Sequence, residues 1–288
     1  MTTLEELLFK LTYCKGIGII KKWQLVDFAV KFQRFDFTPN EVIEIIGATK
    51  YTPVVKESWR KMTKEFIQQK MNSQQFVTYF SPEYPVLLKQ IPQPPLILFY
   101  QGNIDLLQLP LMAFVGARDA TEYGRRIIER FVPKVVQKNY AIISGLAKGI
   151  DSYSHHAAIQ AEGYTIGVIG TGVDRCYPRE VFPIYSEMRE NHLIISEYPE
   201  GTGAKKFHFP MRNRIIAGLC HGVCVIEAKE RSGSLITAQL ALDAGREVFA
   251  FPGEVISGRS NGCHRLIQDG AKCVVTAADI FDELPNFD

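Results

Sequence analysis

No stretch of the 288-residue sequence comes near the ~18 consecutive apolar residues that a helix needs to cross a bilayer. The first residues, Met1-Thr2-Thr3-Leu4-Glu5-Glu6, carry early acids and no apolar run after a basic start. No secretory signal is expected, and the cytoplasm is the expected compartment. Cysteine is sparse: six residues, at 14, 176, 220, 224, 263 and 273, with no Cys-x-x-Cys pair. Cys220-His221-Gly222-Val223-Cys224 lacks a second ligand pair at zinc spacing, so structural thiols and no metal are expected. An excess of one charge is also missing, because 33 Lys and Arg against 31 Asp and Glu leave +2. A polyanionic ligand would need its cations gathered locally. With 46% hydrophobic and 22% charged residues, collagen-like, low-complexity and wholly disordered classes are excluded.

Two nucleotide signatures are absent as well. No Gly-Lys-Ser/Thr ends a G-x-x-x-x-G run, and no clean G-x-G-x-x-G is followed ~20 residues later by a ribose-binding acid. Neither a Walker-type site nor a dinucleotide fingerprint is met, and no cofactor is expected.

What is present falls into two parts. Residues 1–70 read as short helices, with Leu4, Leu7, Leu8 and Leu11, then Val42, Ile43, Ile45 and Ile46, at helical spacing. Lys15-Gly16-Ile17-Gly18 between them resembles a helix-hairpin-helix turn, but so short a Gly-x-Gly turn is commonplace and reads first as a plain helix connector. Residues 1–100 carry 13 Lys and Arg against 9 Asp and Glu, and the remainder 20 against 22. From Ser81 to Pro95 five prolines oppose helix and mark a connection. Short apolar runs follow at 96–100, 111–115, 141–144, 165–169, 193–196, 222–227, 247–251 and 272–275. Most lack alternation, as strands covered on both faces do. Helical stretches at 122–138, 150–162, 234–244 and 264–269 separate several of them. This alternation predicts an α/β fold: a doubly wound, mostly parallel sheet behind a small all-helical domain.

Ligands of such sheets bind beyond the carboxyl ends of the strands. The residues there are Gly116-Ala117-Arg118, Ser144-Gly145-Leu146-Ala147-Lys148-Gly149, Gly170-Thr171-Gly172-Val173-Asp174-Arg175 with Arg179, and Lys205-Lys206-Phe207-His208-Phe209-Pro210-Met211-Arg212-Asn213-Arg214. Eight cations (Arg118, Lys148, Arg175, Arg179, Lys205, Lys206, Arg212, Arg214) thus fall at one predicted rim. Each glycine taken alone reads as a simple turn; three such loops, each with Arg or Lys, read as an anion site. Phe207 and Phe209 beside guanidinium groups suit base stacking, provided at least one ring is exposed. Asp151 and His155 share a helix face at i, i+4, but Ser144 is in no G-x-S-x-G elbow. Asp151 reads as a partner of loop amides and His155 as its partner or a core residue, with no catalytic residue expected. Glu197 and Glu227 are expected to neutralise and orient Arg212 or Arg214.

Taken together, these loops resemble the DNA-processing protein A family (DprA, also called Smf). The matching stretches include Val115-Gly116-Ala117-Arg118, Ser144 to Asp151, Gly170 to Asp174 with Tyr177-Pro178, and Ser196-Glu197-Tyr198-Pro199. Phe209 to Gly218, Glu227-Ala228 with Ser232-Gly233-Ser234-Leu235, and Pro252-Gly253 complete the series over about 80–285, in the family's order and spacing. The resemblance implies an extended Rossmann-like domain over 76–288 after a helical (SAM or helix-hairpin-helix-like) domain over 1–75. It also implies a non-enzymatic protein that binds incoming single-stranded DNA in natural transformation (competence), protects it, and helps load the RecA recombinase in recombination while single-strand-binding protein is present.

By the same resemblance the DNA pocket comprises Gly116, Arg118, Ser144, Gly145, Lys148, Gly149, Gly170, Thr171, Gly172, Arg175, Arg179, Lys206, Phe209, Arg212, Asn213 and Arg214. A homodimer contact is implied at His264, Ile267 and Cys273, and a recombinase contact at Gln239 and Leu242. Ala117 stands where the family often has Ser or Thr, and Val181 where Asn is common. The sequence stops at Asp288, so the winged helix of many members is not expected. The rival reading is a nucleotide hydrolase like the LOG-type phosphoribohydrolases, which would need Pro-Gly-Gly-x-Gly-Thr and a catalytic Glu; the sequence has Pro252-Gly253-Glu254.

Overall fold

The computed structural model describes residues 2–284. Its amino-terminal part is five helices, Leu4–Tyr13, Ile19–Phe32, Pro39–Ile46, Thr52–Lys61 and Lys64–Asn72. Their starts follow from local chemistry. Thr3 with Glu6, and Thr38 with Glu41, form capping boxes that satisfy amides at the exposed helix ends, and Pro39 occupies the first turn, where its missing N–H costs nothing. Gly16 and Gly18 form a plain link inside this bundle: Lys15 N–H donates to Ser58 Oγ, and Gly18 is the N-cap of the next helix.

Nine strands follow: β1 (Phe76–Thr78), β2 (Ile97–Gly102), β3 (Leu111–Gly116), β4 (Ala141–Ser144), β5 (Thr165–Val168), β6 (Leu193–Ser196), β7 (Gly222–Ile226), β8 (Glu247–Ala250) and β9 (Lys272–Cys273). They form one sheet in the order β1-β2-β6-β5-β4-β3-β7-β8-β9. The seven strands from β3 onward run parallel, and β2 pairs antiparallel with both β6 and β1. From β3 the chain steps outward through β4, β5 and β6, then returns to the other side of β3 for β7, β8 and β9. The sheet is therefore doubly wound, with its reversal of direction between β3 and β7.

Alternate residues of the inner strands feed two cores. Leu111, Ala113 and Val115 pack with Ile215, Ile216 and Ala238 beneath the helices His208–Leu219 and Gly233–Asp243. Met112 and Phe114 pack with Ile128, Phe131 and Ile150 beneath Glu122–Val136 and Ile150–Gln160. The helical bundle shares its core with the sheet: Phe9 lies edge-on to Phe76 and Phe99, with centroids 4.6 and 5.8 Å apart. The helices end at Asn72 and the first strand starts at Phe76, and the outer ends of the expected ranges 1–75 and 76–288 (residue 1 and residues 285–288) lie outside the described residues.

Two expectations are corrected. The proline-rich connection contains a short helix, Val86–Lys89, because Pro85 stands at its N-cap, where proline is tolerated. The stretch from His208 is a helix rather than a loop, which decides how Arg212, Asn213 and Arg214 point.

His155 is fully buried, and its Nδ1 lies 2.6 Å from Thr165 Oγ1, whose own hydrogen goes to Ile142 O. Nδ1 is therefore the donor, and Nε2 has no partner among the described residues. Burial, with the His192 and Arg212 charges, lowers its pKa to about 3. Its unfolded-state value lies near 6.5, so the stability held by the neutral ring is complete above that pH and is lost as pH falls toward 3. Urea titrations should show about 2 kcal/mol less stability at pH 5 than at pH 7 from this group. His155→Gln should remove that part of the slope; an unchanged slope would refute the assignment.

Candidate nucleic-acid interface

The loops at the carboxyl ends of β3, β4, β5 and β7 enclose a cleft of two joined lobes. One lobe is lined by Arg118, Gly145, Lys148, Gly170, Thr171, Tyr177, Arg179, Glu180, Phe209 and Arg212. The other lies at the sheet's reversal point and is lined by Gly116, Arg118, Asp119, Lys206, Phe209, Arg212, Asn213, Glu227, Lys229 and Arg231, among others. Arg118, Tyr177, Phe209 and Arg212 belong to both.

Arg212 is the floor. It is 5% exposed, its Nη1 donates to Val168 O at 2.6 Å, its Nε has no partner, and it enters no ion pair among the described residues. Burial pushes its pKa down from the usual arginine value, and the charge of the buried Asp151 opposes that. A buried guanidinium outside ion-pair distance of any acid is costly unless an anion completes it. Gly145 makes room for it: a Cβ on Gly145 would lie 1.9 Å from Arg212 Nη1. The loop glycine is thus explained by an arginine far along the chain, not by a phosphate. Gly149 is different, with φ +75° and a would-be Cβ 2.2 Å from Ala117 O, so only glycine lets the β4 loop close on the β3 loop.

Above the floor, the Arg118 guanidinium sits 5.7 Å from the centroid of Phe209, whose other neighbour is Tyr177 at 5.7 Å. Tyr177 is 53% exposed and Phe209 half-buried, so an aromatic pair with a cation beside it borders both lobes. Phe207 is exposed but lines neither lobe, its ring edge-on to His208. Lys148 is paired with Glu180, an exposed contact of small energetic weight. Arg118, Arg179 and Lys206 are exposed and, among the described residues, form no ion pair.

Other expected residues lie elsewhere. Ser144 is fully buried and donates to Phe114 O at 2.6 Å, so its hydroxyl is committed inside the fold. Arg214 points away from the cleft because residues two apart on a helix face different sides. It is nearly buried, paired with Glu197 at 2.5 Å and bonded to Gln93 O. Glu197 therefore neutralises Arg214 as expected, whereas Glu227 turns to the Thr121 N–H and hydroxyl instead. Gly170 and Thr171, by contrast, do line the first lobe, with the Gly170 carbonyl accepting from His208 and Thr171 Oγ1 donating to Arg175 O, whereas Gly172 lies outside both lobes and its N–H donates to Thr202 O. Arg175 pairs with Asp174 outside both lobes. Asp151 is buried and accepts from Ala147 N–H, and His155 is a core residue rather than its partner.

The reversal-point lobe escaped the sequence reading. Its signal was present in Glu227 and Ser232-Gly233-Ser234 after β7, but only the strand order shows that these residues face the Arg118 loop. On the far side, Gln239 and Leu242 are exposed on the Gly233–Asp243 helix. His264 Nε2 is bound to Gly253, and half-buried Ile267 and Cys273 lie at or beside the β9 sheet edge. No helix among the described residues is long and apolar enough to cross a membrane.

Comparison with known proteins places this geometry. The family model described as DNA recombination-mediator protein A matches residues 75–285. DNA processing protein DprA of Streptococcus pneumoniae is 50% identical over 200 residues, covering 69% of this chain and 71% of that one. The crystal structure of DNA processing protein A from Streptococcus pneumoniae superposes with a TM-score of 0.91 at 38% identity, covering 99% of each chain. The structure of DNA processing protein A from Helicobacter pylori, described for its single-stranded DNA binding mode, gives 0.66 at 26% identity over 72% of this chain and 94% of that one. The chain belongs to the DNA recombination-mediator protein A family.

Proposed function

We propose that this protein is a recombination mediator that binds single-stranded DNA in the two-lobed cleft. The carrying observation is Arg212, a buried guanidinium that enters no ion pair among the described residues and whose Nε is unpartnered there, at the floor of a cleft whose rim holds Arg118, Arg179 and Lys206, also in no ion pair among them. Strand phosphates supply the anions, Phe209 and Tyr177 stack bases without reading them, and Gly116, Gly145, Lys148, Gly170, Thr171 and Asn213 complete the wall, with Gly149 holding the β4 loop against the β3 loop. Ser144, Gly172, Arg175 and Arg214 serve as supports of these loops. The single-stranded DNA binding of the Helicobacter pylori relative supports the same reading.

Within that role we propose protection of incoming DNA in natural transformation and help in loading the RecA recombinase, with single-strand-binding protein as a competitor on the strand. The exposed Gln239 and Leu242 suit the recombinase contact, and the face of His264, Ile267 and Cys273 beside the β9 edge suits a homodimer. The proposed activity needs no catalytic residue, metal or cofactor, and its place is the cytoplasm. Residues 1–75 and 76–288 are proposed as the two working units.

The test is the salt dependence of oligo-dT binding. Each phosphate neutralised on a single strand contributes about −0.7 to the slope of log K against log salt. Lys148 already has Glu180, so four unpaired cations should give a slope of about −3. A slope near zero would refute the proposal.

A further inference from the structure

The lobe at the reversal point, a cavity of about 650 Å³, contains a group that a row of phosphates does not explain. Glu227 is 3% exposed at the end of β7 and lines this cavity. The fold holds its carboxylate deliberately. Thr121 donates to both oxygens, from its N–H at 2.8 Å and from its hydroxyl, and a Cβ on Gly124 would lie 2.4 Å from Oε2. Each carboxylate oxygen keeps a free lone pair. A carboxylate repels phosphate and accepts from neutral donors, namely a sugar hydroxyl or a base N–H.

The opposite character lies across the same cavity. Ser232, Gly233 and Ser234 open the Gly233–Asp243 helix, and Ser232 makes no side-chain cap. Helix amino termini attract phosphate. A second, independent feature points to the same anion: Arg212, nine-tenths buried, its Nε without a hydrogen-bond partner and in no ion pair among the described residues, also lines this lobe, where the buried Asp151 offsets only part of its charge. Arg231 stands exposed at its edge and enters no ion pair among the described residues. A phosphate site and a hydroxyl or N–H acceptor in one cavity at a sheet's reversal point match one nucleotide.

Extending the reading of the cleft as a phosphate-binding site, we propose that the reversal-point lobe binds a single nucleoside 5′-monophosphate unit. Its phosphate lies on Ser232, Ser234 and Arg212, and its sugar hydroxyl or base N–H on Glu227. The same chemistry is offered by a free nucleotide and by one nucleotide of a bound strand.

The test is calorimetric titration of the full chain with AMP and, separately, with inorganic phosphate. AMP should bind saturably and at least about 10-fold more tightly than phosphate. Glu227→Gln should weaken AMP about 10-fold or more, the scale of a hydrogen bond to a charged group. Arg231→Glu, at an exposed position, should weaken it about 5-fold or more with folding intact, by the same arithmetic. Saturating the protein with oligo-dT first separates the sources: retained AMP binding means a free nucleotide, and abolished binding means a nucleotide of the strand. AMP binding that is absent, no tighter than phosphate, or indifferent to both substitutions overturns the proposal. Oligo-dT binding by the same unmodified protein reads the strand-binding role separately, so either can fail without the other.

Discussion

Arg212→Gln is expected to weaken oligo-dT binding about 10- to 100-fold while leaving the free protein's stability almost unchanged. The first part follows because a hydrogen bond between charged groups is worth about 1.5–3 kcal/mol, and 1.4 kcal/mol is a factor of ten in affinity. The second part is the less usual expectation. Truncating a buried arginine normally destabilises a fold by stranding its carboxylate, yet Arg212 enters no ion pair among the described residues, and the buried acid it acts on, Asp151, keeps its own bond from Ala147 N–H. Its bond to Val168 O is worth about 1 kcal/mol, and the relief of a desolvated charge offsets that. Urea unfolding and fluorescence anisotropy on the same samples check both halves. A large loss of stability with unchanged DNA affinity would make Arg212 a structural residue.

Gly145→Ala is expected to cost nearly as much affinity as Arg212→Gln, through a residue whose side chain is one methyl group. The added Cβ would lie 1.9 Å from Nη1 and 2.4 Å from Cζ of Arg212, so the guanidinium must leave its seat. Overpacking of this kind costs about 1–3 kcal/mol of stability. The pair is then strongly coupled. In the double variant the clashing atoms are gone, so affinity should match Arg212→Gln alone and part of the lost stability should return. A double-mutant cycle on binding measures this. Additive losses would show that Gly145 acts on the strand independently of Arg212.

These two residues also show what the sequence could and could not disclose. The eight apolar runs were legible as strands because burial on both faces removes polar residues, and each run appears in the sheet. β1 was not legible: three residues at an antiparallel edge leave too short a pattern. The cleft-facing Arg118, Arg179, Lys206, Phe209 and Arg212 could be picked out because strand ends locate a ligand site before any strand order is known.

Direction within a motif was harder. Arg212 and Arg214 look equivalent in a loop, but on the His208–Leu219 helix one enters the cleft and the other meets Glu197. Ser144, the last residue of β4, has its hydroxyl under the sheet's neighbouring strand rather than in the loop. The space that Gly145 leaves is defined by a partner on another element, which spacing alone cannot reveal. The reversal-point lobe depends on β7 lying beside β3, a fact of topology.

The central claim is that unpaired cations of one cleft hold strand phosphates irrespective of base, and Arg118 tests it most directly. Exposed, in no ion pair among the described residues and set against Phe209, it can be changed to Glu without disturbing the core. Equilibrium binding of Arg118→Glu to oligo-dT, oligo-dA and oligo-dC should be weaker than that of the unmodified protein by about 10-fold or more, and by a similar factor for all three. Affinity retained within about twofold, by the same measure, would contradict the account.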